Sequence, residues 1–138
     1  MANHAYYVVY HVIFDIRSVK DNVFRACAAS LKFVDFSNNE LQSLPETLLS
    51  GATALRRIAL SNNSLSALPA ALFRSQAQSL EVIDLSGNRL SALRAPLLGN
   101  LPLLATLDLG RNELESVESP AALRGLKSLQ SLKLVRID

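Results

Sequence analysis

Few side chains in this sequence could do chemistry: His4, His11, Cys27 and a spaced row of acidic residues. A thiol beside an imidazole would be a nucleophile with its base, and the same two residue types could begin a metal site. Both histidines fall in the N-terminal stretch, and no spacing forces Cys27 against either. A single cysteine excludes an internal disulfide and a thiolate cluster. The five glycines, Gly51, Gly87, Gly99, Gly110 and Gly125, stand apart at turns and form no phosphate-cradling loop. These residues predict no enzyme, no cofactor and no metal. What remains is recurrence. Asp35, Asp84, Asp108 and Lys133 each stand between two apolar residues, and Phe33, Arg57, Val82 and Thr106 recur two positions before the same slot.

The unit that must position them is spelled out from Leu55 to Phe73, which fits L-x-x-L-x-L-x-x-N-x-L-x-x-L-P-x-x-L-F. Aligned on the first leucine, copies start at Leu31, Leu55, Leu80, Leu104 and Leu129, spaced 24, 25, 24 and 25 residues. A sustained period of this length is the mark of a solenoid, in which each unit buries its apolar face only against its neighbours. The reading is one domain over 1–138. A degenerate repeat covers 1–30, full repeats cover 31–54, 55–79, 80–103 and 104–128, and a truncated last copy covers 129–138.

In each copy the central alternation predicts a short strand with two inward residues: Val34 and Phe36, Ile58 and Leu60, Ile83 and Leu85, Leu107 and Leu109, Leu132 and Leu134. Asn39, Asn63, Asn88 and Asn112 follow in the turn. An amide both donates and accepts, so a buried Asn column can satisfy backbone groups within its own turn and across to the next. Pro45 and Pro69 open the convex side, where so few residues per half-turn leave room only for short helical or irregular segments. Apolar pairs such as Leu48 and Leu49 fill that half, and Ala28, Ala52, Ala77, Leu101 and Leu126 precede the next strand. Ser119-Pro120 is a helix start signal and predicts the best-formed convex helix.

The N-terminal stretch alternates from Tyr6 to Ile16, so it also predicts a strand. Two registers compete. With Val12 and Phe14 as the inward pair, the even-numbered face is wholly apolar and the repeat loses about two residues; this is the preferred one. With Val9 and His11 inward, an imidazole is buried.

Composition agrees with one ordered domain: 49% of the 138 residues are hydrophobic, enough for a real core, and only 6% are aromatic, as aliphatic layers require. A net charge of +2 without a basic run predicts neither a nucleic-acid partner nor a membrane-surface patch. No apolar run is long enough for membrane insertion, and Met1 to Tyr7 lacks the cationic lead of a signal peptide.

The motif at Leu31, Leu55 and Leu80 resembles the "typical" class of leucine-rich repeats, found in ectodomains of Toll-like receptors, small proteoglycans and secreted insect immune proteins. The resemblance implies an α/β solenoid: a right-handed horseshoe with a parallel concave sheet of about six strands. It also implies a non-enzymatic recognition module of an extracellular receptor or secreted immune protein, binding a protein partner. Members of this class usually carry cysteine-rich caps, and their absence makes the chain look like a fragment of a longer protein. The alternative is an intracellular, cytoplasmic scaffold or adaptor. The sequon Asn62-Asn63-Ser64 is compatible with secretion.

Partner contacts are expected on the concave face, at Phe33, Asp35, Arg57, Val82, Asp84, Thr106, Asp108 and Lys133. Strand positions are held rigidly and lose little entropy on contact. Aromatic and Arg residues are the commonest hot spots, which favours Phe33 and Arg57 over the aspartates. Asp84 and Asp108 face each other at like-charge distance unless a cation relieves them. Phe33 has a second reading, packing on the N-terminal strand near His11. The C-terminal strand has an open edge and apolar neighbours, which predicts self-association.

Overall fold

The computed structural model describes residues 7–9, 15–117 and 123–135. Six short strands form one parallel sheet: β1 (Tyr7–Val9), β2 (Leu31–Asp35), β3 (Arg57–Ala59), β4 (Val82–Asp84), β6 (Thr106–Asp108) and β8 (Ser131–Lys133), each paired with the next in chain order. A second, two-stranded parallel sheet joins β5 (Ala92–Leu93) and β7 (Ser116–Val117). The fold is therefore a solenoid, each turn contributing one strand to the main sheet.

The register follows the repeat. Val34, Ile58, Ile83, Leu107 and Leu132 are direct partners across successive strands. The first four are fully buried, and Phe36, Leu60, Leu85 and Leu109 form a second buried column beside them. Phe36 is larger than its counterparts and stacks on Phe24, the buried convex residue of the turn before, at 5.9 Å between ring centroids. Convex pairs Leu48 and Leu49, Leu72 and Phe73, and Leu97 and Leu98 complete the same core. At the last strand the pattern changes. Leu132 and Leu134, inward by type, are 36% and 46% exposed, because β8 is the last strand of the sheet among the described residues.

The N-terminal register is a correction. β1 sets Val9 opposite Val34, not Val12. The Ile16 amide donates to Asn39 Oδ1 just as the Leu41 amide donates to Asn63 Oδ1, so Ile16 stands where Leu41 does. Both offsets equal 25 residues, so the first repeat keeps full length with nothing deleted. Period outweighed the appeal of an all-apolar face. Val12, Phe14 and His11 themselves lie outside the described residues.

The convex side is mostly turns, as so short a half-turn dictates. Three-residue 3₁₀ turns occur at Ala28–Ser30 and Arg74–Gln76, and one α-helical turn, α1 (Ala95–Leu98), carries Pro96 in its first turn. The helix expected at Ser119-Pro120 lies outside the described residues. The β5–β7 pairing was not foreseen, and proline explains where it forms. Repeats with Leu44-Pro45 and Leu68-Pro69 lack an amide donor at that step, whereas Leu93-Arg94 and Val117-Glu118 keep it.

One more position differs from expectation. In the third turn Gln76, not Ala77, takes the fully buried place before the strand. Its Nε2 donates to the Leu49 carbonyl (2.8 Å) and the Ala52 carbonyl (3.2 Å) of the preceding turn. Its Oε1 has no partner among the described residues.

Candidate functional site

The concave face is built from alternate residues of the strands whose inward neighbours form the core, so its side chains are positioned by the ladder itself. Cross-strand pairing places Phe33, Arg57, Val82, Thr106 and Ser131 in one row. Asp35, Ala59, Asp84, Asp108 and Lys133 form the next row. All eight residues singled out from the sequence thus lie on one sheet face, in two adjoining rows.

Within the first row, the Arg57 guanidinium lies over the Phe33 ring, 5.3 Å from its centroid. Arg57 is exposed and Phe33 half-buried. A cation held on an aromatic face is both ordered and available to a partner, and the pair itself is worth about 0.5–1 kcal/mol at an exposed site. Phe33 is also paired in register with Val8 of β1.

The aspartates have a local role that the sequence did not disclose. Asp35 Oδ1 accepts the Ser37 amide at 2.8 Å, Asp84 Oδ1 accepts the Ser86 amide and hydroxyl at 3.0 and 2.7 Å, and Asp108 Oδ1 accepts the Gly110 amide at 3.0 Å. Each carboxylate closes the bend at the end of its strand, where the next amide would otherwise lack an acceptor. Asp84 and Asp108 do face each other across β4 and β6. The cation that relieves them is Lys133, whose Nζ is 3.3 Å from Asp108 Oδ2.

Sequence reasoning missed the flank that precedes these rows. Arg56 Nη1 and Glu81 Oε1 form an exposed ion pair at 3.7 Å beside Arg57 and Val82. Such a pair contributes little to stability but adds charge to the same rim. Its only signal was position, one residue before the row already identified. On the opposite, convex side a hollow of about 320 Å³ is lined by Glu46, Phe73, Arg74, Pro96 and Leu97 among others. Cys27 is half-buried against the core, and both histidines lie outside the described residues. Among the described residues no group of three or more ligating side chains could hold a metal ion, and no helix is long and apolar enough to cross a membrane.

Beside the sheet run two asparagine-based columns. Asn39, Asn63, Asn88 and Asn112 are buried. Asn63 Nδ2 donates to the Leu60 carbonyl of its own turn and the Phe36 carbonyl of the turn before, while its Oδ1 accepts the Leu41 amide at 3.0 Å. Asn88 and Asn112 repeat the pattern on Leu85, Leu60 and Leu65, and on Leu109, Leu85 and Leu90. The cross-turn bonds run to the preceding turn rather than the next. One residue earlier, Asn38, Asn62, Gly87 and Arg111 share a left-handed backbone conformation, with φ from 53° to 66°. Their exposed side chains form an outer ladder: Asn62 Nδ2 donates to Asn38 Oδ1 at 2.9 Å, and Arg111 spans Gly87 to donate to Asn62 Oδ1 at 3.2 Å.

Comparison with known proteins follows the same lines. Residues 53–114 and 78–136 match the family described as Leucine rich repeat, and residues 30–51 match a second Leucine Rich Repeat family. No curated protein sequence matches the chain. Among solved structures, the Toll–Spatzle complex of Drosophila, a hub in development and innate immunity, is similar at 28% identity over 84% of this chain, with a TM-score of 0.79. Its glycosylated form is similar at 29% identity over 83% of this chain, with the same TM-score. The chain spans only 15% of the length of those two matched chains. A TLR13–ssRNA13 complex, 24% identical over 86% of this chain and 20% of that one, with a TM-score of 0.68, shows the fold alone. Since that neighbour is an RNA complex, the expectation of no nucleic-acid partner finds no support from it.

Proposed function

The chain belongs to the leucine-rich repeat family, and from that premise we propose that it is an extracellular recognition module that holds a protein partner on its concave sheet. The observation that carries this reading is the Phe33–Arg57 pair: an aromatic ring and a guanidinium already in contact at 5.3 Å, on adjacent strands, one of them exposed. Their geometry is set before any partner arrives, so little ordering entropy is lost on binding. Asp84, Asp108 and Lys133 extend the same face with charges of both signs, which select orientation more than they add affinity. Val82 and Thr106 lie between as a low step without charge.

The test is binding of the full chain to a panel of secreted proteins, with single-stranded RNA as a separate arm. Phe33→Ala and Arg57→Glu should each weaken a protein hit by about tenfold or more, while the melting temperature stays nearly unchanged. Asp84→Lys with Asp108→Lys removes two bend-closing acceptors and so should lower the melting temperature, but should weaken binding only of a basic partner. A hit that ignores all of these and is lost on Arg74→Glu would move the site to the convex hollow. Loss of stability without selective loss of binding in the Phe33 variant would make that residue structural.

The lone Cys27 favours the intracellular alternative to this extent, that a reducing compartment would leave it as a thiol. Fractionation of the native protein decides between the two. At the other end, Leu132, Leu134 and the 67%-exposed Val135 surround the free edge of β8. We propose that this edge drives concentration-dependent self-association of the isolated 138-residue chain, which sedimentation of a clean monomer at high concentration would refute.

A further inference from the structure

We propose that Asn62 is the acceptor of an N-linked glycan, and that the glycan covers the loop flank of the sheet while leaving the Phe33–Arg57 end open. This rests on the extracellular reading above. Asn62-Asn63-Ser64 is a sequon by sequence, and the two asparagines in it are not equivalent. Asn63 is buried and fully engaged. Asn62 is exposed on the turn that leaves β3, in a left-handed conformation with φ 54°.

The acceptor atom has room for the bond. An amide nitrogen carries two hydrogens, and Asn62 Nδ2 commits one of them, to Asn38 Oδ1 at 2.9 Å. The other is replaced in the reaction: the bond from Nδ2 to the sugar's anomeric carbon forms, and the bond from that carbon to the diphosphate of a polyprenyl-linked oligosaccharide breaks. The diphosphate leaves, and Nδ2 gives up one proton to a base. Oδ1 keeps its bond from Arg111, so the outer ladder survives modification. Gly87, the next rung, has no side chain, and a Cβ there would collide with Asn62 Oδ1. Asn62 therefore meets no side chain from the Gly87 rung, only the tip of Arg111 that reaches its Oδ1 and leaves Nδ2 to the other side of the amide.

The position also fits the proposed site. Asn62 lies five residues beyond Arg57 along an extended segment, on the order of 15 Å away at the rise of a strand. A glycan there screens the loops after the strands and leaves the Arg56, Arg57 and Phe33 side free for a partner.

The experiment is secretion of the full chain from insect cells behind a cleavable leader, followed by treatment with a glycosidase that releases N-glycans. The expected result is a mobility shift that the enzyme removes, with conversion of position 62 to an acid in the peptide mass. Asn62→Gly and Ser64→Ala should each lose the shift entirely; the second keeps the Asn62 amide ladder, so a folding defect in the first cannot account for both. Treated and untreated chains should bind any concave-face partner equally. A folded, secreted and unmodified chain overturns the inference and leaves the extracellular reading standing. A chain modified when secreted, whose native pool is cytosolic, overturns the extracellular reading instead.

Discussion

Asn38-Asn39 and Asn62-Asn63 put two identical residues side by side, and the fold gives them opposite work. The second of each pair turns inward, is buried, and ties the backbone of its own turn to that of the turn before. The first turns outward, adopts a left-handed φ, and its side chain hydrogen-bonds to other exposed side chains. Residue type cannot account for the difference, because it is the same. Position in the turn does: one points at amides and carbonyls that water cannot reach, the other at solvent. The repeats that start at Leu80 and Leu104 make the same point by substitution, since Gly87 and Arg111 stand at the outer place while Asn88 and Asn112 stand at the inner one.

The largest effect should come from breaking the inner column. Asn88→Ala strands the Leu65 amide and removes the donor shared by the Leu60 and Leu85 carbonyls. The stranded amide costs about 1–3 kcal/mol and each of the two lost carbonyl bonds about 1 kcal/mol, since Leu60 and Leu85 still accept from Asn63 and Asn112, so a loss of about 3–5 kcal/mol is expected in a denaturant titration. A loss below ~1 kcal/mol would erase the distinction between the columns. Gln76 sharpens it: this buried amide also donates to two carbonyls of the preceding turn, yet its oxygen is unmatched. Gln76→Ala should therefore cost less than Asn88→Ala, about 2 kcal/mol. An equal or larger cost would mean that Oε1 is satisfied by something else, such as a buried water.

How far the sequence could be read follows the same division. Whatever is enforced in every turn was legible: the buried leucine columns, the inner asparagines, the strands, and the two concave rows, one with Phe33 and Arg57 and one with the aspartates. Whatever depends on one turn alone was not. Gln76 was hidden because the pattern offered Ala77 as a plausible core residue one place later. The β5–β7 pair depended on proline being absent, which a consensus motif does not display. In the N-terminal stretch apolar alternation points to one register and the 25-residue offset to another, and the fold follows the offset. The aspartates read in sequence as a charged strip, whereas Ser37, Ser86 and Gly110 use them to close bends.

The outer ladder meets backbone strain at Gly87, and there a middle-sized effect is expected. Gly87 has φ 66°, and a Cβ would strike Asn62 Oδ1. Gly87→Ala should cost about 1–2 kcal/mol from the left-handed backbone and the collision together. In an Asn62→Gly background only the backbone share should remain, about 1 kcal/mol. If the two costs are the same, Asn62 swings away freely and the outer ladder has no fixed geometry.

The smallest effect is the one that tests the comparison from its other side. Asn62→Gly removes the contacts to Asn38 and Arg111 but keeps the left-handed turn, since glycine adopts φ 54° without penalty. Both lost bonds are exposed, so water replaces them, and the change in stability should stay within about 0.5 kcal/mol. Combining it with Arg111→Ala should add nothing beyond the sum of the single changes, because an exposed pair at 3.2 Å has little coupling to lose. The same chemical group deleted one residue later, in Asn63→Gly, should unfold the chain several kcal/mol sooner. If the two glycine variants melt alike, the turn rather than the amide is what the asparagines supply, and the inner column would have to be explained by backbone conformation alone.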